Sequence, residues 1–474
     1  MKILLISSRF FPFTGGVENV VLNLAKEFKA KGHEVLVIAS QMGKAKEKKA
    51  QVDGIDVQRV WLNLPRSLLG FLAFPFRFLT GLTNLVRLVS KYNPDIVNYH
   101  FPDDSSVYVW LALAAGEAPG ASADPAPGAE ECGDLFSPNP APLILNIHGN
   151  DLQVFGKKLW YRFFLKKLIN RARKIIVNSE YIKEDLTNNF PQAEKKIEII
   201  ANGVDQKFFQ IGDLLKSKVP SLQKGRDLSP TKSSCTGCPL AQVGACAAAG
   251  EAPGASFPQP QRLGNLPCRQ AGAAVEKLAD PQKLASLSPY ILYLGRLVPK
   301  KGVDTLIKAY AKVEDELNSN LVIVGDGTSR KELEKLVKVK NLEEKISFVG
   351  FKSGIELLQY IQNANFTIIP SYREPFGIVA LELAAAGKPI IASKTGGLAE
   401  ILEDGKTALL FETKNAEELA EEMIRLEKNA ELRRNLAENA KEMAKGYRWE
   451  AVAETYLETF QGNRSISRSA EKSK

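Results

Sequence analysis

The sequence predicts an α/β protein with two doubly wound, Rossmann-like sheets. Three observations predict it. Short β-branched apolar runs alternate with helix-length amphipathic runs, which is the pattern of βα units feeding a parallel sheet. The alternation occurs in both halves of the chain, and 474 residues exceed one ordinary domain. In the first half the strand candidates are residues 2–7, 34–40, 95–100, 143–148, 174–179 and 197–201. In the second half they are residues 290–295, 321–324, 346–349, 366–370, 389–393 and 408–411.

Two irregular, low-complexity inserts break this rhythm, at residues 116–142 and roughly 212–288, both rich in Ala, Gly and Pro and poor in periodic apolar positions. They read as loops or disorder. The nonapeptide AAGEAPGAS occurs in both, at 114–122 and 248–256, and two copies without a fixed period make related insertions rather than a solenoid. All five cysteines lie there: Cys132, Cys235, Cys238, Cys246 and Cys268. Four thiolates can hold zinc, but the second CxxC of a strong pattern is missing, so free thiols are expected and no metal site is assigned.

Composition narrows the function classes. A hydrophobic share of 45% and a charged share of 25% fit an ordinary soluble globular protein. The net charge of +9 suits nucleic acid, an anionic membrane surface or an anionic substrate alike, and no aromatic-basic RNA motif or recognition helix supports nucleic acid. The apolar start, residues 1–13, is too short for a signal peptide and carries Arg9. The most apolar later stretch, residues 68–89, is interrupted by Pro75, Arg77 and Arg87, so no spanning helix is expected. A location in the cytoplasm, either free or peripheral on the membrane's cytoplasmic face, is expected from these readings.

The most informative motif is Glu374-Pro-Phe-Gly-Ile-Val-Ala-Leu-Glu382, after the strand at 366–370. Pro375 suits a first helical turn, which leaves Glu374 in the loop and Glu382 inside the helix. The amides of Phe376, Gly377 and Ile378 would then lie beside the Glu374 carboxylate, and such amides with the helix dipole favour phosphate. The alternative is a capping Glu and a solvated Glu. A second cluster, Gly295-Arg296-Leu-Val-Pro-Lys-Lys301-Gly302, follows a strand and precedes a helix at 303–313. The Arg296 fork and the Lys301 point charge suit a diphosphate leaving group, whose negative charge grows as its bond breaks; a solvated basic turn is the bland alternative.

In the first half, Gly15-Gly16 opens a helix with Val17, Val20, Val21, Leu24 and Phe28 at helical spacing, and the glycines admit a ligand close to the backbone. His148-Gly149-Asn150-Asp151 ends a strand, where open α/β sheets place ligands. His148 either meets a sugar or serves as a core or capping histidine. A third feature is the run 157–174, with eight Lys or Arg, no acid, and interleaved Trp160, Tyr161, Phe163 and Phe164. It suits either a packed surface helix or contact with an anionic bilayer, and Phe71, Phe74, Phe76 and Phe78 near Arg66 and Arg77 add a second candidate surface.

Taken in order, these motifs resemble the family 4 glycosyltransferases of the GT-B fold, with Asn178-Ser179, Asn202-Gly203-Val204-Asp205, Gly325-Asp326-Gly327 and Thr395-Gly396-Gly397 adding to the likeness. The resemblance implies two domains facing across a cleft: an acceptor-side domain at 1–205 with its insert at 116–142, a linker at 206–288, a nucleotide-sugar domain at 289–445, and a last helix at 446–461 returning to the first domain. It implies that Glu374 holds donor-sugar hydroxyls, Glu382 the ribose, and Arg296 and Lys301 the diphosphate with the Phe376, Gly377 and Ile378 amides. His148 would meet the sugar, Gly16 would lie near donor phosphate and acceptor, and Phe351 near the base. Glu374, His148, Arg296 and Lys301 would carry catalysis. The implied reaction is metal-free, retaining transfer of a hexose-type sugar from a UDP- or GDP-linked donor to a glycan or lipid-linked acceptor, without a cofactor. A sugar epimerase or phosphorylase on the same scaffold, and a noncatalytic membrane-surface protein, are the alternatives.

Overall fold

The computed structural model describes residues 1–11, 15–41, 47–63, 74–103, 105–115, 141–149, 159–217, 279–280 and 286–462. The first sheet contains β1 (Lys2–Ser7), β2 (Glu34–Ser40), β3 (Lys49–Val52), β4 (Ile55–Val60), β5 (Ile96–His100), β6 (Leu143–Ile147), β7 (Lys174–Val177) and β8 (Ile197–Ile199). Its order is β3-β4-β2-β1-β5-β6-β7-β8, parallel except for the β3–β4 pair. The second sheet contains β9 (Tyr290–Leu294), β10 (Asn320–Val324), β11 (Ile346–Gly350), β12 (Phe366–Ile369), β13 (Ile390–Ser393) and β14 (Leu409–Phe411) in the order β11-β10-β9-β12-β13-β14, all parallel. Each sheet therefore reverses direction once, between β1 and β5 and between β9 and β12. Ligands of open α/β sheets bind outside the carboxyl ends of the strands at such a switch point.

The strands read as unbroken apolar runs because both faces are covered. In β1, Ile3 and Leu5 join the cluster containing α1 (Gly16–Ala30), while Leu4 and Ile6 join the opposite cluster. That second cluster also holds residues of α2 (Phe74–Tyr92), α3 (Ser106–Ala115) and α4 (Leu159–Arg171). The last helix, numbered α14 here (Trp449–Gln461), buries Trp449, Val452, Tyr456 and Phe460 against the α1 face, with Phe28 and Phe460 ring centroids 5.5 Å apart. Each such side chain contributes about 1.5–3 kcal/mol of apolar burial, enough to fix the returning tail.

The β3–β4 hairpin was not expected. Its turn is Asp53-Gly54, with φ of 48° and 80°, between Val52 and Ile55 paired in register. Both turn residues take the left-handed conformation that two-residue hairpin loops favour. Pro375 was expected in a first helical turn; it instead lies in the loop, because Gly377 with φ of 106° is the N-cap of the following helix. Residues 211–217, where an irregular stretch was expected from 212, are helical, and Ile211 is buried; residues 218–278 and 281–285 lie outside the described residues. The cysteines, most of the repeated nonapeptide and Asn150-Asp151 lie outside the described residues.

Candidate active site

At the second switch point, β9 runs into Arg296 and a short 3-10 turn, Pro299–Lys301, before α7 (Val303–Val313). Gly302 joins them at φ of 63°, and a β-carbon there would stand 1.9 Å from the Pro370 carbonyl oxygen. Only glycine allows this approach, which draws the β12 loop against the basic turn. The loop is then tied down: Tyr372 N donates to Lys300 O at 2.8 Å, Tyr372 Oη to Asp304 Oδ1 at 2.7 Å, and Gly397 N to Glu374 O at 2.9 Å. Glu374 is thereby placed on Lys301, as a half-buried ion pair, with Ser371 Oγ donating to the same carboxylate oxygen at 3.1 Å.

Around this pair stand further cations. Arg296 is exposed and makes no ion pair among the described residues. Lys300 is lowered from its ordinary value by burial, then by Arg296 and Lys301, with Glu374 pulling the other way. The amides of Phe376, Gly377 and Ile378 donate to no acceptor among the described residues. They head α10 (Ile378–Ala385), so three unused N–H groups and a helix N-terminus adjoin the Lys301–Glu374 pair. Glu382, one turn further along, is pushed up to about 7 by burial, opposed by Lys207 and reinforced by Asp205.

The first domain closes the site from above. Gly16, at the start of α1, faces Ile378, whose Cδ1 would lie 3.6 Å from a β-carbon at Gly16. Glu18 in the same turn is 7% exposed, and burial raises its carboxyl against the pull of its own amide, Arg9 and Arg296. His148 follows β6 and is 9% exposed, with burial driving it down to about 4. It is a neutral ring at physiological pH, able to donate from one nitrogen and accept at the other. Its neighbour Gly149, at φ of 91°, presses on Pro375, since a β-carbon there would be 2.9 Å from Pro375 Cβ.

Several bonds cross the cleft. Ser179 Oγ donates to Pro375 O at 2.7 Å, and the Glu400 carboxylate accepts from the Glu180 and Tyr181 amides at 2.8 Å each. Arg373 approaches Asp185 at 3.6 Å and lies over the Tyr181 ring. The structure thus gathers Glu374, Lys301, Phe376, Gly377 and Ile378 into one corner, brings Gly16 to its edge, and sets Arg296 beside it. Phe351 stands apart at the end of β11, 65% exposed, on the same carboxyl edge but two strands from β9. Lys300, Arg373, Glu18 and His100 escaped sequence reasoning. Polar residues inside a buried strand, Asn98 and His100 in an otherwise apolar run, were the signal that would have found the last.

Two sequence profiles match. "Glycosyl transferase 4-like domain" covers residues 15–203 and "Glycosyl transferases group 1" covers 275–443, together well over half the chain. The chain belongs to the group 1, family 4 glycosyltransferases of the GT-B fold. A glycosyltransferase of Methanocaldococcus jannaschii is 29% identical over 310 residues, 65% of each chain. The alpha-D-kanosaminyltransferase of Streptomyces kanamyceticus is 34% identical over 32% of this chain and 40% of its own. The chain thus spans 65% and 40% of the lengths of these two relatives. Among solved structures, Anabaena HepE in complex with UDP-glucose superposes with a TM-score of 0.65 at 19% identity, covering 98% of this chain and 100% of that one.

Proposed function

We propose that this glycosyltransferase moves a hexose-type sugar from a UDP- or GDP-linked donor to a glycan or lipid-linked acceptor, with retention of configuration and without a metal ion. The observation that carries it is the Lys301–Glu374 pair beside Arg296 and the amides of Phe376, Gly377 and Ile378, which donate to no acceptor among the described residues. These groups provide the positive field that a departing diphosphate needs, and positive side chains with amides can do what a divalent cation does elsewhere. Arg296, Lys301 and the amides hold the diphosphate. Glu374 accepts from sugar hydroxyls, His148 donates to the sugar from the opposite domain, and Glu382 accepts from the ribose. Phe351 flanks the base, and Gly16 lets the acceptor and donor phosphate approach the α1 backbone.

In the resting pair, Lys301 satisfies Glu374. Donor binding replaces one partner of each group, phosphate for the lysine and hydroxyl for the carboxylate, so neither charge is left buried and unpaired. The acceptor hydroxyl attacks from the face the diphosphate leaves and passes its proton to a departing phosphate oxygen; positioning and leaving-group stabilisation then supply most of the rate. Retention accords with the α-linked sugar in the name of the kanosaminyl relative. The test is a panel of nucleotide sugars with released nucleotide as readout, run on wild type and Glu374→Gln. Turnover lower by about two orders of magnitude or more, with melting unchanged, is expected for loss of one positioned charge. Equal turnover in a folded variant would sink the assignment of Glu374.

A membrane-facing acceptor has its own support. Phe76 and Leu79 of α2 and Leu159 and Phe163 of α4 are exposed, from 54% to 85%, and both helices pack on α3. Lys166, Lys167 and Arg77 lie on the same two helices. Exposed apolar side chains interleaved with cations suit the surface of an anionic bilayer at its cytoplasmic face.

A further inference from the structure

One buried carboxyl borders the diphosphate corner from the first domain. Glu18 lies in the first turn of α1, and its side chain folds back over the N-cap, so that a β-carbon at Gly15 would stand 2.5 Å from Glu18 Oε2 and 3.4 Å from Oε1. The residue is 7% exposed. Among the described residues its carboxylate has no ion pair, and no hydrogen bond except that from its own amide. Gly16 in the same turn faces Ile378, so the N-terminus of α1 and the amides of Phe376, Gly377 and Ile378 border one space. A diphosphate held by Arg296, Lys301 and those amides lies beside the Glu18 carboxyl.

Burial raises the Glu18 carboxyl above its ordinary value, and its own amide, Arg9 from the loop after β1 and Arg296 from the opposite domain pull it back. The other charges on neighbouring elements are engaged elsewhere. Lys301 pairs with Glu374, and Glu382 faces Lys207 and Asp205. Arg59 of β4 donates to the carbonyls of Glu47 and Phe11, while Glu450 and Glu454 of α14 face Glu27 and Lys31 in the second half of α1. Donor binding upsets this balance. The diphosphate engages Arg296, cancels its field at Glu18 and brings negative charge up to an acid that stays buried. Like charge at short range disfavours an ionised carboxyl. A neutral acid, by contrast, offers an O–H to a phosphate oxygen, and hydrogen bonds to an anion are among the strong ones.

We infer that Glu18 meets the donor as a neutral carboxylic acid, taking one proton from solution as the nucleotide sugar binds and donating its O–H to a diphosphate oxygen. That hydrogen bond strengthens as the sugar leaves and charge grows on the oxygen, so the first domain adds a group to leaving-group stabilisation. The proton stays on Glu18 throughout the transfer and returns to water when the nucleotide dissociates. The inference rests on the donor site proposed around Arg296 and Glu374. Because an ionised Glu18 must first be protonated, nucleotide affinity is full below the free carboxyl's value and falls by up to about tenfold per pH unit above it.

The probes are UDP and GDP, titrated into the full chain by calorimetry from about pH 5 to about pH 8 in buffers of different ionisation enthalpy. Wild type should take up more protons per nucleotide bound than Glu18→Gln, by a difference approaching one at the upper end. Glu382 and the phosphates ionise alike in both proteins and drop out of that difference. Glu18→Gln keeps a neutral donor, so its affinity should match wild type near pH 5 and exceed it about tenfold or more near pH 8. Glu18→Ala has no donor; it should lose the same uptake yet bind about tenfold more weakly than Glu18→Gln at every pH, the scale of one lost hydrogen bond. Equal proton counts in wild type and Glu18→Gln, or parallel affinity profiles, overturn the inference, as does Glu18→Ala binding as tightly as Glu18→Gln. A folded wild type that binds neither nucleotide removes the donor site itself, and this inference with it.

Discussion

Glu382 shows how one buried carboxyl couples fold and ligand. Burial raises it from 4.5 to about 7, so the folded state holds this proton more tightly than the unfolded chain does. Its contribution to stability is whole below about 4.5, declines between 4.5 and about 7, and is lost above that. The difference corresponds to about 3 kcal/mol. Glu382→Gln carries no titrating proton, so its melting temperature should fall less than that of wild type between pH 5 and 8, while the two agree near pH 4.5. Parallel curves would show that Glu382 is ionised throughout. If ribose hydroxyls bind the carboxylate form, nucleoside diphosphate should expel a proton near neutral pH, and calorimetry in buffers of different ionisation enthalpy reads that directly. The pair of carboxylates was legible from E-x7-E spacing across a loop and a helix. Their different surroundings, Lys301 for one and burial for the other, depend on residues distant in sequence.

At the scale of elements, the parallel strands were legible because burial on both faces leaves unbroken β-branched runs, and all twelve expected runs contain a strand. The β3–β4 hairpin was missed because β3, reading Lys-Ala-Gln-Val, is short and half exposed; only the Asp53-Gly54 turn announces it. The joint between the basic turn and the β12 loop hinges on Gly302. In Gly302→Ala, the methyl would have to displace the Pro370 carbonyl, and the residue would keep a left-handed conformation. Strain of this kind costs about 1–3 kcal/mol, and it falls on the loop that carries Glu374. The expected outcome is a lower midpoint in urea together with a loss of turnover larger than the loss of folded protein explains. Wild-type values for both would show that the loop is not held by this contact. For α2 and α4, removing Phe76, Leu79, Leu159 and Phe163 together should abolish cosedimentation with anionic vesicles at low salt and leave activity on a water-soluble acceptor intact. Equal recovery of wild type in the supernatant with anionic and neutral vesicles would remove the membrane claim.

Across the whole molecule, what the sequence could not disclose is how one domain reads the other. Each loop motif is local, but the bonds that join the cleft depend on the relative placement of two sheets. The helix α5 (Glu180–Asn189) illustrates this: its N-cap Ser179 accepts from Ile182 N at 3.3 Å, yet its first two amides are satisfied by Glu400 of α11 (Gly396–Ile401), from the opposite domain. A carboxylate at a helix N-terminus contributes about 0.3–1 kcal/mol when exposed, as Glu400 is, and salt weakens it. Because those amides can return to water when the domains part, this energy belongs to the closed arrangement alone and shifts the balance between open and closed forms by up to about fivefold. Ser179 to Pro375 and Arg373 to Asp185 lie on the same rim, so the latch acts beside the Glu374 loop. Glu400→Ala should therefore raise the radius of gyration seen by solution scattering in the absence of donor and raise the Michaelis constant for nucleotide sugar about fivefold, because only the closed fraction presents both halves of the site. The kcat at saturating donor should change little, since bound donor draws the domains together again, and high salt should bring wild type toward the variant. Identical scattering curves and Michaelis constants in low salt would mean that the domains stay closed without this carboxylate.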